Sequence, residues 1–300
     1  MPWWAGGQNK GQIKPDRGHR MRLLRRGPRA GQGAAVARAR AGPEVDVVLS
    51  SGFLSFASHC GFLDAVEGAG LAAAGVCGTS AGALTGALWA TGRSVDECAA
   101  ELDRVAPAQL VEIHGRPWEG LLSLRPTVQR LREVLPERFE DLERPFACGV
   151  LGPDGRYALL REGPGLAEAV AASASIPFLF TPTDVPGLGP CRDGGKADRV
   201  GLVPWRDLRR REAGAGGGEA VRPALVHVIQ RSSPFSGDDA VFAGASGREP
   251  RIAVVRSPKA GVSLLDLGDF AGQRAAARVR AGPAARWVAE RLAETSGKSS

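Results

Sequence analysis

The sequence predicts an α/β protein, a layered core built on a mainly parallel central sheet. Three observations predict it. Short apolar runs alternate along the chain with longer segments whose apolar residues recur at helical spacing, the pattern of a parallel sheet covered by helices. Residues 78–82 read Gly-Thr-Ser-Ala-Gly, a pentapeptide suited to a sharp turn from a strand into a helix. The five cysteines Cys60, Cys77, Cys98, Cys148 and Cys191 are scattered, with no Cys-x-x-Cys pair, which fits buried thiols in a reducing compartment and neither a disulfide framework nor a zinc site.

The elements follow in order. Residues 45–49 are a β-branched run ending in Ser50-Ser51-Gly52, read as a buried first strand opening into a loop. From His59 to Ala69, Phe62, Leu63, Val66 and Ala69 recur at helical spacing before Gly70 stops the helix. Residues 73–77 form a second strand and residues 81–91 a helix bearing Leu84, Ala87, Leu88 and a core Trp89, capped by Gly92. Helices are expected over 95–105 and 126–135. Residues 146–151 and 157–160 flank Pro153-Asp154-Gly155-Arg156 as a hairpin. A small-residue helix covers 166–174 and runs into Ile176-Pro177; 224–229 and 252–255 are two more buried strands. The Gly-rich stretch 213–219 is expected as a surface loop, Gly282-Pro283 as a break in the C-terminal helical stretch, and residues 296–300 as a frayed tail.

With 300 residues, 43% of them hydrophobic, and no internal repeat, the chain suits one catalytic domain over residues 44–295. The net charge of +7 is unevenly placed. Residues 1–43 hold ten Lys or Arg against Asp16 alone, leaving 29 basic and 31 acidic residues in the rest. The body is therefore close to neutral and gives no nucleic-acid signal. The basic tail has the arginines and the acid poverty of a transit segment but contains no Ser or Thr; a transit peptide for a plastid or mitochondrion and a disordered basic arm both fit. No apolar run in it is long enough for a secretory signal. Residues 68–92 carry no charge, yet their glycines and hydroxyl residues read as strand, turn and helix and not as a membrane span. A cytoplasmic or organellar protein is expected.

The chemistry rests on two strings. In Gly78-Thr79-Ser80-Ala81-Gly82 the motif glycines Gly78 and Gly82 let strand and helix approach around a serine at a helix N-terminus, where the dipole favours an ionising hydroxyl. Asp193-Gly194-Gly195 sets a carboxylate beside two residues without side chains. Together they suggest Ser80 as nucleophile and Asp193 as base. The chain has four histidines, His19, His59, His114 and His227. A Ser-Asp-His order leaves only His227, which sits within an apolar run and fits a core or edge strand. His59 opens the first helix and fits a backbone-bonded helix-start residue. The loop Ser51-Gly52-Phe53 directly after the first strand stands where an oxyanion hole belongs. No residues have metal-ligand spacing, and the chemistry calls for no cofactor. The segment 232–239 with Ala240-Val241-Phe242, and separately Trp118, Leu121 and Leu122, fit either the surroundings of a substrate groove or ordinary loop and core.

In consistent order between residues 45 and 204 stand the strand and loop, His59-Cys60-Gly61-Phe62-Leu63, the Ser80 elbow, Ala172-Ser173-Ala174-Ser175-Ile176-Pro177, and Asp193-Gly194-Gly195. In this the chain resembles the patatin-like phospholipases, lipid acyl hydrolases with a Ser-Asp dyad on a three-layer α/β/α fold. The resemblance implies that Ser80 is the nucleophile and Asp193 the base. It also implies a phospholipid, galactolipid or acylglycerol substrate met at a membrane or lipid-droplet surface. Two departures stand out. The family's oxyanion loop usually carries three glycines and an arginine, whereas here Ser51, Gly52, Phe53 and Ser55 occupy it; beyond Gly195 the family's Asn and Pro are replaced by Arg199 and Gly201. The altered loop motivates the rival reading, a patatin-fold protein with impaired catalysis that binds lipid or a partner.

Overall fold

A computed structural model describes residues 42–115, 118–215, 221–230 and 251–297. Strand β1 (Glu44–Leu49) leads into helix α1 (Phe56–Gly68), β2 (Ala72–Gly78), α2 (Ala81–Ala90) and α3 (Val95–Asp103). The two-residue strands β3 (Glu112–Ile113) and β4 (Leu122–Ser123) precede α4 (Arg125–Val134), followed by β5 (Phe146–Leu151), β6 (Tyr157–Leu160) and α5 (Leu166–Ser173). Then come β7 (Thr183–Val185), β8 (Gly189–Asp193), α6 (Leu202–Ala215), β9 (Ala224–Ile229), β10 (Ile252–Ser257) and α7 (Phe270–Gly297).

The main sheet runs β10-β9-β1-β2-β5-β8-β7, with β6 also paired to β5. Its first five strands are parallel, and β6, β8 and β7 join antiparallel. Alternation along β1 sorts the two faces. Val45, Val47 and Leu49 pack with α1, α2, α5 and α7, whereas Val48 joins Val226, Val228, Leu202 and Trp205 beneath α6. The result is the mostly parallel, three-layer arrangement that the sequence predicts. On the α6 face, buried Asp46 of β1 meets the Arg209 guanidinium at 3.2 Å, which ties that helix to the sheet.

The C-terminal helix corrects one expectation. Helix α7 runs unbroken through Gly282 and Pro283 because Ala277, Ala281, Ala285 and Val288 bury one face. Its approach to α1 is close: a Cβ on Gly61 would lie 2.0 Å from the Arg274 carbonyl oxygen, and Arg274 grips Asp64 with two 2.7 Å hydrogen bonds. Packing of this extent offsets the roughly 3 kcal/mol cost of an internal proline, whose missing N–H faces the carbonyl of solvent-exposed Val279. Two smaller corrections concern ends. Ser296 and Gly297 are helical, as are Ala213, Gly214 and Ala215 at the end of α6, where the helix extends the run that packs Trp205 and Leu208. Residues 1–41, 216–220 and the candidate groove segment 232–242 lie outside the described residues.

Candidate active site

The parallel strands end on one side of the sheet, and the site is built there. Ser80 follows β2 with φ 55 and ψ −119, a backbone conformation rare for a residue with a side chain. The motif glycines force this turn to be tight: a Cβ on Gly78 would lie 2.4 Å from the Gly82 oxygen, and one on Gly82 would lie 2.2 Å from the Leu49 oxygen. The turn is held from outside. The Ser80 N–H donates to Ser173 Oγ at 2.9 Å, and the Ser173 hydroxyl donates to the Gly149 carbonyl at 2.7 Å. Ser173 is wholly buried at the end of α5, so one hydroxyl fastens the elbow to β5.

Asp193 ends β8 opposite Val150 of β5. Its N–H donates to the Ser175 carbonyl at 3.0 Å, and its Oδ1 accepts the Gly195 N–H at 2.7 Å. Both following glycines are needed where they stand. A Cβ on Gly194 would meet the Gly149 oxygen at 2.5 Å, and one on Gly195 would crowd Asp193 Oδ1 and Ser51 Oγ at 2.9 Å each. Burial raises the Asp193 pKa from 3.8 to about 6, against the lowering by the Gly195 N–H, the Ser80 side chain and the Arg199 charge. Ser80 and Asp193 are thus brought together, both buried, by elements more than a hundred residues apart.

The loop after β1 is held by Arg199. The buried guanidinium donates to Ser51 Oγ (3.2 Å), the Ser51 carbonyl (3.0 Å) and the Ile229 carbonyl (3.1 Å). In return the Ser51 N–H donates to the Arg199 carbonyl at 2.6 Å. That bond removes Ser51 from the expected oxyanion donors, because its only N–H is already engaged. The N–H groups of Gly52, Phe53 and Ala81 have no protein acceptor among the described residues. Gly52 is packed on Ile229, 2.6 Å from where its Cβ would be, and Leu54 takes φ 52. Arg199, read from the sequence only as a departure from the family pattern, is therefore what anchors the departing loop.

The two histidines weighed as catalytic, His59 and His227, pair with each other in the core. His59 of α1 and His227 of β9 are fully buried with their Nδ1 atoms 2.9 Å apart, and His227 Nε2 meets Ser257 Oγ at 2.9 Å. Phe62 stacks on the His227 ring at 4.7 Å. Burial lowers His59 to about 4, against the backbone of Ser50, and pushes His227 well below its usual range. Both ring nitrogens of His227 are occupied, so it offers Ser80 no free base. His59 lies in the first turn of α1 with a backbone bond to Ser50, as expected, and its ring also meets its partner in the core. Trp89 is core, as expected, its Nε1 donating to Glu67 at 2.7 Å.

An apolar cavity of about 120 Å³ opens at Ser80. Leu84 and Leu88 of α2 line it, with Leu102, Leu131, Val134 and Ile176. No helix among the described residues is long and apolar enough to cross a membrane.

A strained serine at a strand–helix elbow, a buried carboxylate and an apolar cavity on a three-layer α/β/α core define a class of hydrolase-like proteins. Comparison with known proteins identifies the family. Residues 47–204 match the family model "Patatin-like phospholipase", and the chain belongs to that family. NTE family proteins of Mycobacterium bovis and Mycobacterium tuberculosis are 28% identical over 173 residues, covering 56% of this chain and 47% of theirs. The chain thus spans about half the length of these relatives. VipD from Legionella pneumophila superposes with a TM-score of 0.50 at 12% identity, over 84% of this chain and 67% of that one, a likeness of fold.

Proposed function

We propose that this protein is a serine lipid acyl hydrolase that cleaves fatty acyl esters through an acyl-enzyme. The observation that carries the proposal is Ser80 in its strained elbow, beside a buried Asp193 whose carboxylate the serine side chain stabilises, at the opening of an apolar cavity. Asp193 takes the Ser80 proton as Oγ attacks the ester carbonyl. The N–H groups of Gly52, Phe53 and Ala81 receive the developing oxyanion, each worth about 2.7–4 kcal/mol of transition-state stabilisation. The alcohol leaves with the proton, water attacks the acyl-enzyme with Asp193 again as base, and the fatty acid departs. With its pKa raised to about 6, Asp193 is a base roughly a hundredfold stronger than an ordinary aspartate and still mostly ionised at neutral pH. The acyl chain occupies the cavity along α2. Phospholipids, galactolipids and acylglycerols all present the ester and chain that such a site accepts, at a membrane or lipid-droplet surface.

The test is labelling with a fluorophosphonate, followed by hydrolysis of a p-nitrophenyl ester. The expected result is label on Ser80, and loss of both label and hydrolysis in folded Ser80→Ala. Asp193→Ala is expected to lose hydrolysis as well. Absence of label on Ser80 in folded protein would instead assign the chain a lipid-binding role, the reading favoured by the engaged Ser51 N–H.

A further inference from the structure

We propose that the rim of the Ser80 cavity is a docking face that inserts into a zwitterionic phospholipid bilayer, with Ile113, Trp118, Leu121, Phe178 and Leu265 as the inserted side chains. The proposal deepens the lipid-hydrolase reading by naming the surface that meets the substrate's source. Five large apolar side chains stand in water there: Ile113 is 89% exposed, Trp118 80%, Leu121 55%, Phe178 86% and Leu265 81%. Each lies on a segment that also lines the cavity or is bonded to one that does. Val111 and Leu110 precede Ile113; Ile176 and Phe180 bracket Phe178; Leu264 adjoins Leu265. Exposed apolar surface continuous with an apolar cavity marks an interaction site.

The face is braced and not merely loose. Phe178 is held outward at φ 71, a conformation uncommon for a bulky residue. Its turn is closed by the Phe180 N–H on the Ile176 carbonyl at 2.9 Å and is laced to β4 by Leu122 N–H to Leu179 (2.9 Å) and Thr181 N–H to Leu122 (2.8 Å). Arg192 spans the same two pieces, donating to the carbonyls of Phe180 (3.1 Å) and Glu119 (3.3 Å). Gly120 fits only because it has no side chain, since its Cβ would lie 2.4 Å from the Phe180 backbone. The backbone carrying Phe178 and Leu121 is thus pre-positioned, which lowers the ordering cost of docking.

A bilayer fits this face better than a charged partner. Among the described residues, Glu112 of β3 pairs with Arg125 of α4 at 2.9 Å and His114 with Glu119 at 3.5 Å. The exposed area described beside these pairs is apolar and includes a tryptophan, whose ring suits the headgroup boundary. An ester bound at Ser80 would then draw its chain from the bilayer directly into the cavity.

Sedimentation of the full chain with phosphatidylcholine vesicles in 0.15 M salt tests this, on the Ser80→Ala background so that no turnover enters. Expected are binding by this parent and a roughly tenfold lower partition coefficient for each of Trp118→Ser and Phe178→Ser, from the apolar burial lost. Trp287→Ser and Val279→Ser, exposed apolar positions on α7, are expected to bind as the parent does. Unchanged thermal unfolding verifies the fold of every variant. The proposal is overturned if the parent does not sediment, if the rim variants bind equally, or if the α7 variants lose as much. It is also overturned if the parent is a dimer that the rim variants make monomeric, which would show a second copy on this face. Vesicle binding without fluorophosphonate label would sink the hydrolase reading alone; label and soluble-ester hydrolysis without vesicle binding would sink the docking face alone.

Discussion

Asp193→Asn is expected to abolish hydrolysis and at the same time stabilise the fold, by an amount that grows with pH. Burial holds the folded Asp193 pKa at about 6 against 3.8 in an ordinary aspartate, so the folded protein binds more protons than the unfolded chain between those values. Stability conferred by the neutral carboxyl is then lost as pH rises through this window. With these two pKa values, ionisation of Asp193 costs about 1.6 kcal/mol at pH 5 and about 3 kcal/mol at pH 8. The asparagine cannot ionise, and its oxygen can still accept the Gly195 N–H. Urea unfolding of wild type and variant in parallel isolates this difference, since every other titrating group cancels. The variant's advantage should increase by about 1.4 kcal/mol from pH 5 to pH 8. In the wild type, kcat/KM should climb with an apparent pKa near 6 to a plateau. An advantage that is flat with pH, or an asparagine variant less stable at pH 8, would refute the account of a carboxylate held ionised at the fold's expense.

Three further outcomes follow. Arg199→Leu should lower kcat about a hundredfold with little change in KM, because the loop carrying Gly52 and Phe53 loses its anchor. It should also move the apparent pKa of Asp193 upward, since the Arg199 charge lowers it. The cavity lines α2 from Ser80 to Leu88, a rise of about 12 Å, so activity should increase roughly fourfold per methylene up to about ten carbons. Leu84→Trp should cut that series short while leaving short esters unaffected. The buried His59 and His227 are held neutral, so the unfolded chain binds more protons below pH 6.5 and stability falls as pH drops toward 4. His59→Leu with His227→Leu should flatten that acid loss and retain hydrolysis, as measured by unfolding at pH 5 and pH 7 beside a soluble-ester assay.

Much of the fold was legible because its signals are local. The β-branched run of β1, the strand–elbow–helix at Ser80 and the turn between β5 and β6 each carry their own periodicity or turn residues. Helix α6 and strands β7 and β8 do not: Pro190 and Gly189 lie within β8, and β7 is three residues long. Pro283 misled for the converse reason, since local propensity says nothing of the α1 surface that holds α7 straight. In the site, Ser80 and Asp193 were readable as motifs. Ser173 was visible only as part of a segment, because its role joins Ser80 and Gly149 across 93 and 24 residues. Arg199 showed as an oddity whose meaning depends on Ser51, 148 residues away. The Ala81 N–H is a backbone group, which no side-chain pattern marks.

Three non-glycine residues among those described take positive φ, namely Leu54, Ser80 and Phe178; the first two line the cavity, and Phe178 stands between its lining residues Ile176 and Phe180. Conformations of this kind store of order 1–3 kcal/mol each and persist only where surrounding structure imposes them. Each has a buried or half-buried polar brace from a distant part of the chain: Arg199 for the Leu54 loop, Ser173 for Ser80, and Arg192 for the Phe178 turn. The Ser173 brace on Ser80 is one hydrogen bond, worth about 0.5–1.5 kcal/mol net, no more than the strain it maintains. Arg199 donates three from a buried charge, so its removal forfeits more free energy than the strain it releases. The Arg199→Leu variant is therefore expected to lose both turnover and stability, whereas Ser173→Ala should displace the nucleophile with a smaller change in the unfolding transition.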